Sequence, residues 1–317
     1  MNKKSFVLAS IAALVIIAIG VGGYFLAPIH TKRNLKLPSS NSSEIVSYLK
    51  EKNYPVSFLD TIFLNSFSKP EKGWVYISKS RMPRYKFLLE LGAKKNRYRK
   101  FTIIPGETTY FVIKNLSKKL ELKESDLALA YKSAAIFKEG NFIADTYNIP
   151  KYYNEKDTMN FLLNSSYKIH KKFANKYNLE LNSTSYKNFV TIASIIQKEA
   201  ANKKEMPLIA SVIYNRLQKK MRLQMDGALN YGKYSHTKVT KERIKTDKTT
   251  YNTYKHKGIP KEPVCNVSTD ALKATFNPAK TDYLYFMKKD ATSHNFSNKY
   301  REHIKNIKKR KEELKSK

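Results

Sequence analysis

From Phe6 to Ala27 the chain runs 22 residues without a charge, within SFVLASIAALVIIAIGVGGYFLAP. As a helix rising 1.5 Å per residue that run is about 33 Å long, enough to cross a hydrocarbon core of about 30 Å. It is too long for the apolar part of a cleaved signal peptide, and no small-x-small site follows it. The expectation is a membrane helix over residues 6–27, a short cytoplasmic end at residues 1–5, and everything else on one side of the bilayer. Flanking charge does not settle which side, because Lys3 and Lys4 face Lys32, Arg33 and Lys36 across the run.

The 317 residues carry a formal charge of +34, which makes an anionic partner the first to consider. The lysines are spread along the whole chain instead of forming one basic block, and no DNA- or RNA-binding motif accompanies them, so a nucleic-acid partner is not expected. Anionic lipid or a carboxylate-bearing polymer suits the charge equally well. Cys265 is the only cysteine, which excludes an internal disulfide. No His/Cys cluster has metal-ligand spacing and no phosphate-cradling glycine motif occurs, so neither metal nor cofactor is expected; His294 has no carboxylate beside it in sequence, and it and His303, which follows Glu302, read as surface or packing residues.

Past the apolar run, residues 28–43 are polar and rich in Ser and Pro, and read as a linker. Residues 44–122 alternate short helical and strand-like stretches: SEIVSYLKEKN and LDTIFLNSF helical, KGWVYIS a strand, RYKFLLELGAK helical to Gly92, then strand, Pro105-Gly106 turn and helix. That mixture predicts a small α+β module. Residues 123–303 read as a second, mixed domain that is mostly helical to 188, broken at EGNFIADTYNIPKYYNEKD. A helix pair follows over Tyr186–Lys220, with Pro207 opening the second helix. Short strands and turns are expected at MRLQMDGALNYG, TYNTYKHKGIP, TDYLYFMKKD and SHNFS. Residues 304–317 form a basic helix or tail without an evident core face.

One residue in the helix pair stands out. In TIASIIQKEAA, Glu199 lies seven, four and three positions after Ile192, Ile195 and Ile196 and shares their face, while Thr191, Ser194 and Lys198 project elsewhere. A carboxyl among isoleucines loses solvation, its pKa rises, and it can hold a proton near neutral pH as a general acid must. The plainer reading is a fraying helix end, or a pair with Lys203 one turn on.

The motifs ASIIQKEA, EMPLIASVIYNRL, MRLQMD, YG, YNTYKHKGIP, LKATFNPAKTDYLYF and SHNFS follow one another in the order and spacing of the MltG (YceG-like) endolytic murein transglycosylases. The chain resembles that family strongly over residues 140–303, and more weakly over 74–120, which looks like the family's LysM-like module. The resemblance implies an N-terminal transmembrane helix, a small LysM-like α+β module and a mixed helix/strand catalytic domain. It also implies a single-pass bacterial inner-membrane enzyme with its bulk in the periplasm, which cuts nascent peptidoglycan strands and works beside synthases of the elongation machinery. The family's catalytic glutamate aligns with Glu199. Asn215, Arg216, Gln224, Asp226, Tyr231, Tyr251, Asn252 and Tyr254 lie in matching motifs and are suited to binding sugars, although each also has a structural reading. Two departures stand out: Gln197 occupies a usual glutamate position, and Gly227-Ala228 replaces a common Pro-Thr pair.

The implied reaction needs one carboxyl. Glu199 protonates the MurNAc-β(1→4)-GlcNAc bridge oxygen, then takes the proton of the muramic 6-hydroxyl as a 1,6-anhydro ring closes. A muramidase hydrolysing the same bond would need a second carboxylate, for which Asp226 is the candidate. A membrane-anchored peptidoglycan-binding protein without catalysis is the alternative of a different class.

Overall fold

A computed structural model of the chain describes residues 3–93 and 97–315. Residues 1–2 of the expected cytoplasmic end and 316–317 of the basic tail lie outside these. Contacts divide the chain into two compact units, Met1–Arg99 with Asn148–Tyr153, and Lys100–Tyr147 with Asn154–Lys317.

The first unit opens with α1 (Lys3–Leu26), whose Val7–Leu26 segment has a mean hydropathy of 2.3 and is exposed along its length except for half-buried Tyr24 and Phe25 in its last turn. The residues expected to be linker are instead folded as strands: β1 (Pro28–His30) and β2 (Asn34–Leu37) alternate outward residues with buried Ile29, Leu35 and Leu37. That period-2 pattern sits between lysines, and the charge masks it. After them come α2 (Ser42–Glu51), capped by Asn41, α3 (Phe58–Phe67), opened by a Ser57/Asp60 capping box, β3 (Gly73–Tyr76), β4 (Arg81–Pro83) and α4 (Arg84–Gly92). β1 pairs antiparallel with β4 (Ile29 opposite Met82) and β2 with β3 (Leu35 opposite Val75). Their inward faces meet Ile45, Leu49, Leu64, Phe87 and Leu91 in one core.

β5 (Tyr98–Thr102), α5 (Thr109–Leu120), α6 (Glu124–Ala134) and β6 (Thr146–Pro150) follow, with β5 paired to β6. Residues 100–122, expected to close the small module, group with the second unit: Gly106 N–H donates to Asn266 O at 3.0 Å and Thr108 Oγ1 to Gly232 O at 2.9 Å. The second unit continues through α7 (Glu155–Lys176), α8 (Thr184–Glu199), α9 (Met206–Gln218), α10 (Lys241–Thr246), α11 (Thr269–Phe276), the hairpin β7 (Tyr285–Lys288) and β8 (His294–Ser297), and α12 (Tyr300–Lys315). Its core gathers Val190, Ile192, Ile195 and Ile196 of α8, Ile209, Val212 and Ile213 of α9, and Ala271 and Leu272 of α11. The mixed helix and strand content matches the α+β expectation.

Residues 221–260 form no strands. Gln224 is left-handed at φ 53°, and the segment is tied by loop-to-loop bonds, Gln224 N–H to Thr253 O at 3.2 Å and Met225 N–H to Thr253 Oγ1 at 3.0 Å, with a 3-10 turn at Asp226–Leu229. The strands expected at 285–288 and 294–297 are present.

Candidate active site

Glu199 is the last residue of α8. This helix is buried more completely than an isoleucine stripe requires, since Thr191 and Ser194, expected on a polar side, are also fully enclosed. Their hydroxyls are satisfied locally: Thr191 Oγ1 donates to Lys187 O at 2.9 Å, and Ser194 Oγ donates to Thr191 O and accepts from Val264 N–H. Enclosing residues 190–196 of α8 on every side leaves its end as the place where a polar side chain meets a cavity.

That cavity, of about 370 Å³, is lined by Glu199, Arg216, Gln224, Asp226, Tyr254 and Tyr285 among others. The Glu199 carboxyl accepts the Gly227 backbone N–H at 2.6 Å, and Lys203, the pairing partner considered from sequence, instead pairs with Asp270 at 2.8 Å. Burial by the surrounding protein pushes the Glu199 pKa up to about 7; the Gly227 hydrogen bond opposes this and the nearby Asp226 charge adds to it. The negative end of the α8 dipole acts in the same direction as burial. Gly227 is required by close approach: a Cβ there would lie 2.7 Å from both Glu199 Oε1 and Lys198 Cβ.

Arg216 forms the opposite wall. Its Nε donates to Leu284 O at 2.6 Å, its NH1 donates to Arg222 O, Leu223 O and Gln224 Oε1, and its guanidinium lies 5.2 Å from the Tyr285 ring centre. Tyr254 OH donates to Asp226 Oδ1 at 2.7 Å, which keeps its own proton firmly held, burial being the larger cause and the Asp226 bond the next.

Five residues singled out in the sequence therefore share one cavity: Glu199, Arg216, Gln224, Asp226 and Tyr254. The other four are held elsewhere. Asn215 Nδ2 donates to Thr281 O and Tyr283 O, and Asn252 Nδ2 to Ile244 O and Asp247 O, bonds that fix loops. Tyr231 stacks on Tyr251 at 4.1 Å and donates to Asp247, while Tyr251 OH points to Pro263 O. Gln197 Oε1 accepts the Ser268 N–H at 3.1 Å and thereby holds the residue that caps α11.

The cavity also takes in Tyr285, Tyr300 and His303, which sequence reasoning passed over. His303 stacks on Tyr285 at 5.2 Å, and burial, followed by the Arg216 charge, lowers its pKa, so the ring is neutral at neutral pH. The signal was present in the chain: Tyr300, His303, Ile304 and Ile307 form a helical stripe on α12, in a tail whose lysines suggest a fully solvated helix. His294 does have carboxylate company, brought from a distance: Glu205 faces its Nδ1 at 2.8 Å and accepts its backbone N–H. A larger cavity of about 560 Å³ in the first unit, between Lys36, Tyr48, Lys52 and Trp74, is lined by no carboxyl. Among the described residues no three His, Cys, Asp or Glu side chains are grouped to hold a metal.

A crystal structure of a YceG-like protein from Listeria monocytogenes shares the fold: it covers 87% of this chain and 99% of that one with a TM-score of 0.55 at 24% identity. Over 157 residues the chain is 35% identical to the endolytic murein transglycosylase of Bacillus subtilis, which is 48% of this chain and 43% of that protein. Over 178 residues it is 31% identical to the endolytic murein transglycosylase of Streptococcus pneumoniae D39, 53% of this chain and 31% of that one. The matched regions thus span less than half of these relatives' lengths. The YceG-like family model matches residues 38–309, a stretch that holds Glu199, its cavity and most of both units, and the chain belongs to that family.

Proposed function

We propose that this chain is a membrane-anchored lytic transglycosylase that cleaves the MurNAc-β(1→4)-GlcNAc bond of peptidoglycan strands from within. The observation that carries the reading is Glu199: a carboxyl at the end of a buried helix, facing a cavity, with its pKa near 7. Such a group is protonated in a useful fraction of molecules at neutral pH and ionised in the rest, which is what an acid that later serves as base needs.

Glu199 donates its proton to the bridging oxygen as the bond to the muramic C1 breaks, and the GlcNAc hydroxyl leaves. The 6-hydroxyl oxygen of the same muramic residue then bonds to C1, and the Glu199 carboxylate takes the hydroxyl proton. Atoms balance without water, and Glu199 ends in its starting protonation state. Gly227 N–H fixes the carboxyl, Asp226 raises its pKa, and Arg216, Gln224, Tyr254, Tyr285 and His303 supply hydrogen bonds and ring faces for sugars. α1 anchors the chain, with the two units outside the cytoplasm where the polymer is. The first unit serves as a LysM-like strand-holding module, and synthases of the elongation machinery are the partners.

The presence of Asp226 in the same cavity favours one second reading, hydrolysis of the same bond with Asp226 activating water. Mass analysis of products from purified glycan strands tests both. Anhydro-muramic ends are expected; reducing ends would establish the hydrolase, and uncut strands a binding protein. A reporter fused after Lys317 is expected to work only outside the cytoplasm, and cytoplasmic activity would overturn the placement and the substrate together.

A further inference from the structure

Ten residues, FLDTIFLNSF, make up α3, and their only charged side chain is turned inward: Asp60 is fully buried and lies 3.8 Å from Arg84. Phe58 and Ile62, one turn apart, share the outward side with Asn65 and Ser66 and are exposed to 71% and 55%; Phe67, at the end of the helix on the side of Phe63, is exposed to 70%. A soluble domain rarely leaves such a side open next to another apolar surface without a use for it.

The adjoining surface is the end of α1. Tyr24 OH donates to Ser57 Oγ at 2.8 Å, at the first turn of α3, and also to Asp60. The Arg84 guanidinium lies 3.7 Å from the centre of the Tyr24 ring and donates to Tyr24 O at 3.2 Å. Phe25 packs on Phe63 at 5.0 Å, and Phe63 on Phe67 at 5.1 Å. The last turn of α1 is therefore clamped to α3 at ring and hydroxyl, and at its backbone to Arg84, the first residue of α4, so the depth of α1 sets the depth of α3.

That depth follows from length. The apolar span Val7–Leu26 has 20 residues, about 30 Å of helix, so a bilayer that it crosses ends near Leu26, with Tyr24 at the interfacial level tyrosines favour. Phe58 adjoins Ser57, one hydrogen bond from the Tyr24 hydroxyl, and is held at that same level. We infer that α3 lies in the membrane surface, with Phe58 and Ile62 inserted among lipid headgroups and the first acyl carbons, so that the first unit is seated on the bilayer and not merely tethered to it. This rests on α1 being a membrane anchor. The bilayer is preferred as occupant because the surface is uncharged and continuous with the anchor itself.

The test uses the full chain in vesicles of phosphatidylcholine and phosphatidylglycerol. Single substitutions Phe58→Cys, Ile62→Cys and Ile16→Cys are labelled with a small fluorophore; the native Cys265 is fully buried, and the unsubstituted chain serves as the labelling control. Lipids carrying a nitroxide at the headgroup are expected to quench the labels at 58 and 62 about twofold or more better than lipids carrying it at the acyl terminus, with the order reversed at 16. Iodide in the water should quench all three weakly. If the label at 16 is deep and those at 58 and 62 are quenched freely by iodide, this inference fails and the anchor stands. If 58 and 62 are reached by neither iodide nor lipid nitroxides, protein covers α3 and the inference likewise fails. A label at 16 open to iodide overturns the anchor and this inference with it.

Discussion

Two buried carboxyls in the second unit, Glu199 and Glu139, are both pushed up to about 7, and burial is the larger cause for each. Glu199 ends a helix, has one backbone donor and lines a cavity. Glu139 meets the start of another: it accepts the Thr109 N–H, the Thr109 hydroxyl at 2.6 Å and the Gly140 N–H at 2.9 Å, doing for α5 what the side chain of Thr108 does not. The positive end of a helix dipole and three donors make Glu139 a fastening; the negative end and an open cavity fit Glu199 to the proton-donor role proposed for it. A raised pKa alone does not mark a catalytic acid.

The comparison is broken most directly by removing each acid. Glu199→Gln should reduce strand cleavage by about 10²–10⁴-fold, the range for losing a general acid, with the circular dichroism spectrum retained. The same variant should alter how stability depends on pH. A carboxyl whose pKa rises on folding stabilises the fold most below its ordinary value of 4.5, and that contribution is lost as pH rises through about 7. Wild type should therefore lose stability between about pH 4.5 and 7 by more than Glu199→Gln does, as thermal melts across that range would reveal. Retained cleavage in Glu199→Gln would remove the assignment.

Glu139→Ala should do the reverse. It strands the Thr109 and Gly140 N–H groups in the interior, at a cost of about 2–4 kcal/mol, or roughly 5–10 °C in melting temperature. Cleavage per folded molecule should stay near the wild-type rate. A variant that melts normally but no longer cuts would make Glu139 part of the chemistry.

How far these two sites could be read from the chain differs for a physical reason. Glu199 sits at a fixed spacing from Ile192, Ile195 and Ile196 on one helix, so local periodicity exposes it. Glu139 acquires its role from Thr109, thirty positions earlier, and no local pattern announces that meeting. The same limit hid Tyr285, which reaches the cavity through the hairpin, and it made loop-fixing Asn215 and Asn252 look like sugar ligands; His303 lay on a readable stripe of α12 that the lysines around it masked. Helices with strong periods were legible. Strands β1 and β2 were not, because strands of three and four residues flanked by lysines leave too few alternations to outweigh the charge.

A finer probe is the single donor on Glu199. Gly227→Ala places a methyl where only 2.7 Å is available, so the loop must shift and the N–H must leave the carboxyl. Losing a hydrogen bond that favours the ionised form raises the pKa further. The pH at which cleavage declines on the alkaline side should move upward, with kcat/KM about tenfold lower near neutrality as the carboxyl loses its fixed position. An unchanged profile would mean that the Gly227 contact does not persist in the working enzyme.

The smallest effect is expected at Gln197, two residues before the acid on the same helix. Its side-chain oxygen is occupied by the Ser268 N–H at 3.1 Å, and Gln197 is not among the cavity-lining residues, so its work is to hold the start of α11. Gln197→Glu keeps an acceptor for Ser268 and adds a negative charge near Glu199. A like charge disfavours ionisation, so the alkaline limb of cleavage should move up by a few tenths of a pH unit, less at high salt, with the maximal rate unchanged. Gln197→Ala removes the acceptor and leaves a backbone N–H without its partner, which should lower stability by about 1 kcal/mol while cleavage per folded molecule holds. Rate–pH profiles of the wild type and both variants, each normalised to its folded fraction, separate this from direct sugar binding. A loss of rate at every pH in Gln197→Ala, with no displaced limb in Gln197→Glu, would place Gln197 on the substrate and extend the site about half a turn back along α8.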